Sequence, residues 1–220
     1  MSGRLIIFDV DGTLVDSQAH ILAAMTQAFE RQRLPVPERA AVLGIVGLSL
    51  PVAIARLAPE VPGADQARLV AGYKDAFAAL RAETLSPLYP GAADTLSALA
   101  QVPGLRLGIA TGKSRRGMDH IMAAHGWAGR FATVQVSDDH PSKPHPSMIA
   151  ACLRETGVVP ERAVMLGDTT FDMDMARAAG VTGLGVSWGY HPAERLGARV
   201  IDDFAALPNA LCEIWGVTLT

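Results

Sequence analysis

Apolar residues follow two different rhythms along this chain. Residues 5–8, Leu-Ile-Ile-Phe, form an unbroken apolar run of the length of a buried strand. The pattern then becomes helical. Ile21, Leu22, Met25 and Phe29 recur at three- and four-residue spacing, and Pro35 and Pro37 end that helix. Residues 38–43 read as a short second helix and residues 44–49 as a Gly-punctuated loop. Residues 50–58 are helical again, closed by Pro59, Pro62 and Gly63. Residues 65–82 predict a long amphipathic helix with Leu69, Val70, Tyr73, Phe77 and Leu80 on one face. Residues 15–86 therefore predict helices and no strand. Residues 87–91, from Pro87 to Gly91, are a natural hinge.

Beyond Gly91 strands and helices alternate. Helix 92–100 precedes strand 105–110, helix 115–125 precedes strand 131–136, and helix 147–156 precedes strand 163–166. Helix 171–179 precedes strand 183–187, and strand 199–201 precedes the last helix. Such alternation implies an α/β fold, a Rossmann-like parallel sheet with helices on both faces. The first strand belongs with these by character. The expected division is a core of residues 1–14 and 87–220, interrupted by an all-helical insert of residues 15–86. No internal repeat or low-complexity segment appears.

Composition narrows the function. The chain has 220 residues, 50% hydrophobic and 19% charged, with a formal net charge of −3. That length can bury one sizeable core plus a small second unit. The charge balance gives no reason to expect nucleic acid or an anionic membrane surface as a partner. No apolar run approaches the ~20 residues needed to cross a bilayer. The N-terminus runs straight into the first strand, so the expectation is no signal peptide and a cytoplasmic location. Cys152 and Cys212 lie in apolar helical patterns and read as reduced core residues, with no disulfide and no metal.

The candidate chemistry sits at strand ends. The first strand runs into Asp9 and Asp11, followed by Gly12 and Thr13. Two carboxylates at the edge of a core are costly unless something offsets them, and a hard divalent cation suits oxygen ligands. An Asp-Gly turn with a helix cap at Asp16 or Ser17 is the plainer reading of that stretch. Strand 105–110 ends in Thr111-Gly112, where a hydroxyl and backbone N–H groups can hold a phosphate oxygen, or simply make a turn. Lys143 lies between turns in Ser-Lys-Pro-His-Pro, pinned before a helix. His140 and His145 flank it and take loop and helix-start roles. Strand 163–166 ends in Gly167-Asp168, and Asp172 opens the next helix, either aimed at the same crevice or placed at the helix dipole. Asp174 has only the helix-start role.

These strings, in this order, resemble the four signatures of the haloacid dehalogenase-like superfamily: D-x-D-G-T after an apolar strand, a Ser or Thr, a lysine, and G-D-x-x-x-D. The resemblance covers essentially the whole chain. Its C-terminal part, at residues 183–190 and 199–204, is similar to phosphoglycolate phosphatase-type members. Gly112 departs from the pattern, standing where an Asn is common; the backbone N–H survives and a side-chain contact is lost. The resemblance makes residues 15–86 a cap domain. It implies Asp9 as nucleophile forming an aspartyl-phosphate and Asp11 as general acid, then base. It assigns Thr111, Gly112 N–H and Lys143 to the phosphoryl oxygens. Mg²⁺ would be held by the Asp9 side chain, the Asp11 carbonyl and Asp168, with Asp172 supporting the site. The implied activity is Mg²⁺-dependent hydrolysis of a small-molecule phosphate ester, phosphoglycolate favoured, by a monomer or homodimer.

Four other readings compete with this one. A haloacid dehalogenase lacks the second Asp that stands here as Asp11. A phosphonatase needs a Schiff-base lysine in the cap, and only Lys74 is there, in mid-helix. A sugar phosphomutase shares all four signatures and the helical cap. A catalytically inactive binding protein would have lost a carboxylate, and none is missing. The cap loop 44–51 and the basic residues Arg39 and Arg56 are candidates to face the site, as are Arg115 and Arg116.

Overall fold

The computed structural model describes residues 3–219. Six strands, β1 (Arg4–Phe8), β2 (Leu105–Thr111), β3 (Thr133–Val136), β4 (Ala163–Gly167), β5 (Thr182–Val186) and β6 (Arg199–Ile201), form one sheet in the order β3-β2-β1-β4-β5-β6. Every pairing is parallel. The helices are α1 (Gln18–Arg31), α2 (Arg39–Leu43), α3 (Leu50–Leu57), α4 (Gly63–Glu83) and α5 (Ala92–Leu99). They continue with α6 (Arg115–Ala124), α7 (Ser147–Thr156), α8 (Thr170–Ala178) and α9 (Leu207–Trp215).

Strand alternation divides the core. On β1, Ile6 and Phe8 enter a cluster with Leu96 of α5, Met118 of α6 and Leu211 of α9. Leu5 and Ile7 point the other way, to Met148 and Cys152 of α7 and Met175 of α8. All four residues are fully buried, each worth roughly 1.5–3 kcal/mol relative to exposure. Helices thus cover both faces, as the continuous apolar runs require. A third cluster is built around α1–α4: Met25, Phe29, Val42, Ile54 and Leu69 are among its buried members, and Tyr190, which follows β5, packs against it. Two short backbone segments join this helical insert to the sheet. Asp16 N–H donates to the Pro87 carbonyl at 2.8 Å, and Tyr89 N–H to that of Leu14 at 3.0 Å.

Several boundaries differ from the sequence pattern. α4 begins at Gly63 because Pro62, in an extended conformation, serves as its N-cap. β3 starts at Thr133 because Phe131 packs edge-on against Trp127, 5.5 Å between centroids, instead of joining the ladder. Cys152 is buried as expected, but Cys212 is only half-buried; both are free thiols. Among the described residues no helix is long and apolar enough to cross a membrane.

Candidate active site

The chain fills β1, β2 and β3 on one side of the sheet and then returns to place β4 beside β1. That reversal opens a crevice past the carboxyl ends of β1 and β4, the position where such sheets bind ligands. Asp9 follows β1 and Asp168 follows β4, so both enter the crevice. Asp9 N–H donates to the Leu166 carbonyl at 2.9 Å, fixing the first to the second.

The base of the crevice is a buried charge cluster. Lys143 Nζ lies 2.8 Å from Asp9 Oδ1 and 2.6 Å from Asp172 Oδ1. Asp172 also accepts from Thr169 N at 3.0 Å and Thr169 Oγ1 at 2.7 Å, closing a capping box at the start of α8. Its helix-start role and its role beside Lys143 are therefore the same geometry. Asp168 accepts from Thr13 Oγ1 at 2.8 Å and from Tyr190 N at 2.9 Å. Gly12, at φ +86°, turns the chain here, and a Cβ on it would meet Asp168 Oδ2 at 2.3 Å.

Electrostatics follow from burial. Desolvation pushes the Asp9 carboxyl up to about 7, only partly opposed by Lys143. Burial, then Asp172 and Asp9, hold Asp168 well above the usual carboxylate range. Burial alone would lower Lys143, but Asp172 and Asp9 outweigh it and keep the ammonium charged.

This cluster fits a hard divalent cation. Oxygens of Asp9, Asp168 and Asp172 all lie within 4.8 Å of one another. Three carboxylates against the single Lys143 ammonium leave −2 buried when all are ionised. Asp9 Oδ2 is buried with no hydrogen-bond donor. Asp172 already takes three donors, so lone-pair accounting favours Asp9 and Asp168 as ligands and leaves Asp172 to hold Lys143.

Asp11 stands at the mouth, half-buried. It accepts from Ser17 Oγ at 2.5 Å and pairs with Lys113 Nζ at 2.9 Å. Ser17 also touches Tyr190 Oη at 3.2 Å. Thr111 Oγ1 accepts from Lys113 N at 3.2 Å and keeps its own hydrogen to donate. Gly112 packs beneath the insert: a Cβ there would meet the Gly47 carbonyl at 2.5 Å and that of Leu48 at 2.7 Å. That contact is the physical reason for glycine at a position where Asn is common.

Asp9, Asp11, Thr111, Gly112 and Lys113 line one wall of a cavity of about 490 Å³, and the loop 45–51 with Tyr73, Lys74 and Phe77 lines the other. Lys143, Asp168 and Asp172 lie beneath Asp9 and do not line it. Arg39 and Arg56 do not line it either; Arg56 stacks over Phe171 at 5.3 Å. Arg115 pairs with Asp139 at 2.9 Å, whereas Arg116 is on the cavity wall. His140 bridges Ser147 and Gln135, and the exposed Asp174 pairs with Arg177. Sequence reasoning missed Lys113, Ser17, Thr13 and Tyr190. Only Thr13 carried a site signal, standing inside the D-x-D-G-T string, and Ser17 was read only as a helix cap.

A doubly wound parallel sheet with buried carboxylates at its switch point defines an α/β enzyme of the type that works at strand carboxyl ends. The Haloacid dehalogenase-like hydrolase family matches residues 6–186. The chain belongs to the haloacid dehalogenase-like hydrolase family and is an enzyme of that family. It is 32% identical over 216 residues to a protein of Dickeya dadantii (strain 3937) named Probable phosphatase IndB, covering 94% of this chain and 92% of the relative. It is 30% identical over 214 residues to the Phosphoglycolate phosphatase of Escherichia coli (strain K12), covering 88% and 84%. A solved hydrolase from Pseudomonas syringae superposes with a TM-score of 0.84 at 28% identity, over 96% of this chain and 99% of that one.

Proposed function

We propose that this enzyme is a Mg²⁺-dependent phosphatase that hydrolyses a small phosphate monoester, phosphoglycolate favoured, through an aspartyl-phosphate on Asp9. The observation that carries the reading is Asp9 itself: a buried carboxylate facing a cavity, anchored by Lys143 through Oδ1 and with no hydrogen-bond donor on Oδ2. Relatives named phosphatases, one of them phosphoglycolate phosphatase, support the substrate class.

Asp9 attacks phosphorus, and the P–O bond to the alcohol breaks. Asp11 gives a proton to the departing oxygen. Asp11 then takes a proton from a water that attacks the same phosphorus, releasing inorganic phosphate and restoring Asp9. The Thr111 hydroxyl and the Gly112 N–H donate to the phosphoryl oxygens, where charge must be stabilised. Lys143 holds Asp9 in place from below. Mg²⁺, when bound by Asp9, the Asp11 carbonyl and Asp168, would supply the positive charge that balances the buried carboxylates and the phosphoryl group.

Residues 15–86 act in this reading as a hinged cap that excludes water. The separate apolar cluster of α1–α4 and the two linking segments support that division.

The test is release of inorganic phosphate from phosphoglycolate and a panel of phosphorylated metabolites, with Mg²⁺ and with excess chelator. Phosphate release that needs Mg²⁺ and is lost in Asp9→Asn is expected. Full turnover in chelator would remove the metal from the reading. An isomerised sugar phosphate without net phosphate release would make the enzyme a mutase.

A further inference from the structure

The cavity has two chemically different ends. Its floor carries Asp9 and Asp11, with Lys113 already paired to Asp11. Its rim carries Lys74 and Arg81 from α4 and Arg116 from α6, against the single carboxylate of Asp138. That carboxylate accepts from Arg115 N at 2.7 Å. Among the described residues, neither Arg81 nor Arg116 has a carboxylate within ion-pair distance. Two arginines from different parts of the fold thus line one cavity without an ion-pair partner, Arg81 half-buried and Arg116 exposed. Burial, and then Arg116, lower the Arg81 guanidinium below its ordinary range. His120 feels Arg81 and Lys113 in the same way, after burial. Like charges juxtaposed across an interface are unfavourable unless an anion lies between them.

The volume admits such a ligand. About 490 Å³ is room for roughly sixteen waters at ~30 Å³ each, well beyond a phosphoryl group alone.

We propose that Arg81 and Arg116 form a subsite for a second oxyanion, so that the substrate is a phosphate monoester carrying a carboxylate or another phosphate away from its reacting phosphorus. Guanidinium forks match both groups bidentately. The proposal rests on the phosphatase reading only for which end of the ligand reacts.

Kinetics and binding test it separately. With Mg²⁺ present, kcat/KM is measured for phosphoglycolate, for the bisphosphate of ethylene glycol and for ethyl phosphate. The wild type is expected to favour an anionic tail by about 10- to 150-fold, the worth of hydrogen bonds to a charged group. Arg81→Gln and Arg116→Gln should each cut that ratio about tenfold or more, and Arg81→Lys should retain part of it. Whichever tail gives the larger ratio identifies the oxyanion. Calorimetry then compares 3-phosphonopropionate with propylphosphonate, and the same preference and the same loss in the variants are expected. Turnover without tail preference would overturn the subsite and leave the reaction standing. Binding preference without turnover of any ester would do the reverse. A preference that survives in both variants would overturn the assignment to these arginines.

Discussion

Lys143 and Asp172 form an ion pair of 2.6 Å in which both side chains are fully buried. It is shorter than the 2.8 Å contact from the same ammonium to Asp9. The lysine is thus held from α8 and presented to the proposed nucleophile. Removing one partner of a buried pair leaves an uncompensated charge, at a cost of about 3–5 kcal/mol. Lys143→Met should lower unfolding stability by that amount in denaturant titrations without metal. Asp172→Asn should lower it less, because Thr169 still satisfies one oxygen. Equal stability of Lys143→Met and wild type would show that the cluster is neutralised by protonation instead.

Stability should also depend on pH in a direction set by the buried carboxylates. Burial raises Asp9 from 3.8 to about 7, and Asp168 well above 3.8. The folded protein therefore holds more protons than the unfolded chain between about pH 4 and pH 7. Stability from these groups is full below that window and is lost as pH rises through it. His120, His125, His140 and His191 are lowered by burial and act in the opposite sense, so the wild-type curve alone mixes both. The difference between wild type and Asp9→Asn isolates the carboxylate. Metal-free Asp9→Asn should gain Tm relative to wild type on going from pH 5 to pH 8. Mg²⁺ at pH 8 should stabilise wild type by about 2.7 kcal/mol at 100 times its Kd, and Asp168→Ala much less. A wild-type-minus-variant difference that is flat across the window would refute the raised carboxyl.

The role proposed for Asp11 separates two kinds of ester. An alkoxide leaving group must be protonated as the P–O bond breaks, whereas p-nitrophenolate leaves unaided. Asp11→Asn should slow single-turnover phosphorylation by alkyl phosphates about 10²–10⁴-fold and that by p-nitrophenyl phosphate far less. Steady-state rates should fall for both, since attack by water needs the same residue as base. Equal slowing of the first step would mean that Asp11 is not the acid.

Much of this arrangement was legible in the chain. Apolar runs ending in Asp9, Thr111 and Asp168 mark strand ends, and parallel topology brings strand ends together whatever the loops do. Asp172 was readable as a helix start, and the capping box is what that start looks like in three dimensions. Lys113 was not readable. A lysine after a Thr-Gly turn has no partner within its own segment; it acquires Asp11 only when β2 lies beside β1, and it lies 5.0 Å from the Phe77 ring only through α4. Tyr190 is likewise remote in sequence and reaches Asp168 and Ser17 through the fold. Phe131 misled because an aromatic next to a β-branched run looks like strand, while its packing on Trp127 decided otherwise.

Gly112 offers a test of whether the helical insert moves as a unit. A methyl group there would lie 2.5 Å from the Gly47 carbonyl and 2.7 Å from that of Leu48. Both are backbone atoms, so no side-chain rotation relieves the clash; the loop must leave Gly112. Ser49 N–H donates to Ser142 Oγ at 2.8 Å, and that contact would be lost with it. If the insert shared one rigid core with the sheet, the overpacking would cost about 1–3 kcal/mol. If it hinges at the segments near Val15 and Ser86, it swings away and the sheet keeps its stability. The second outcome is expected. Gly112→Ala should lose less than about 0.5 kcal/mol of stability while kcat/KM falls about 10²-fold, because the walls of the cavity no longer meet. Proteolysis at the linking segments should quicken in the variant, and the scattering radius should grow. A large loss of Tm with unchanged proteolysis would mean that residues 15–86 and the sheet form a single body.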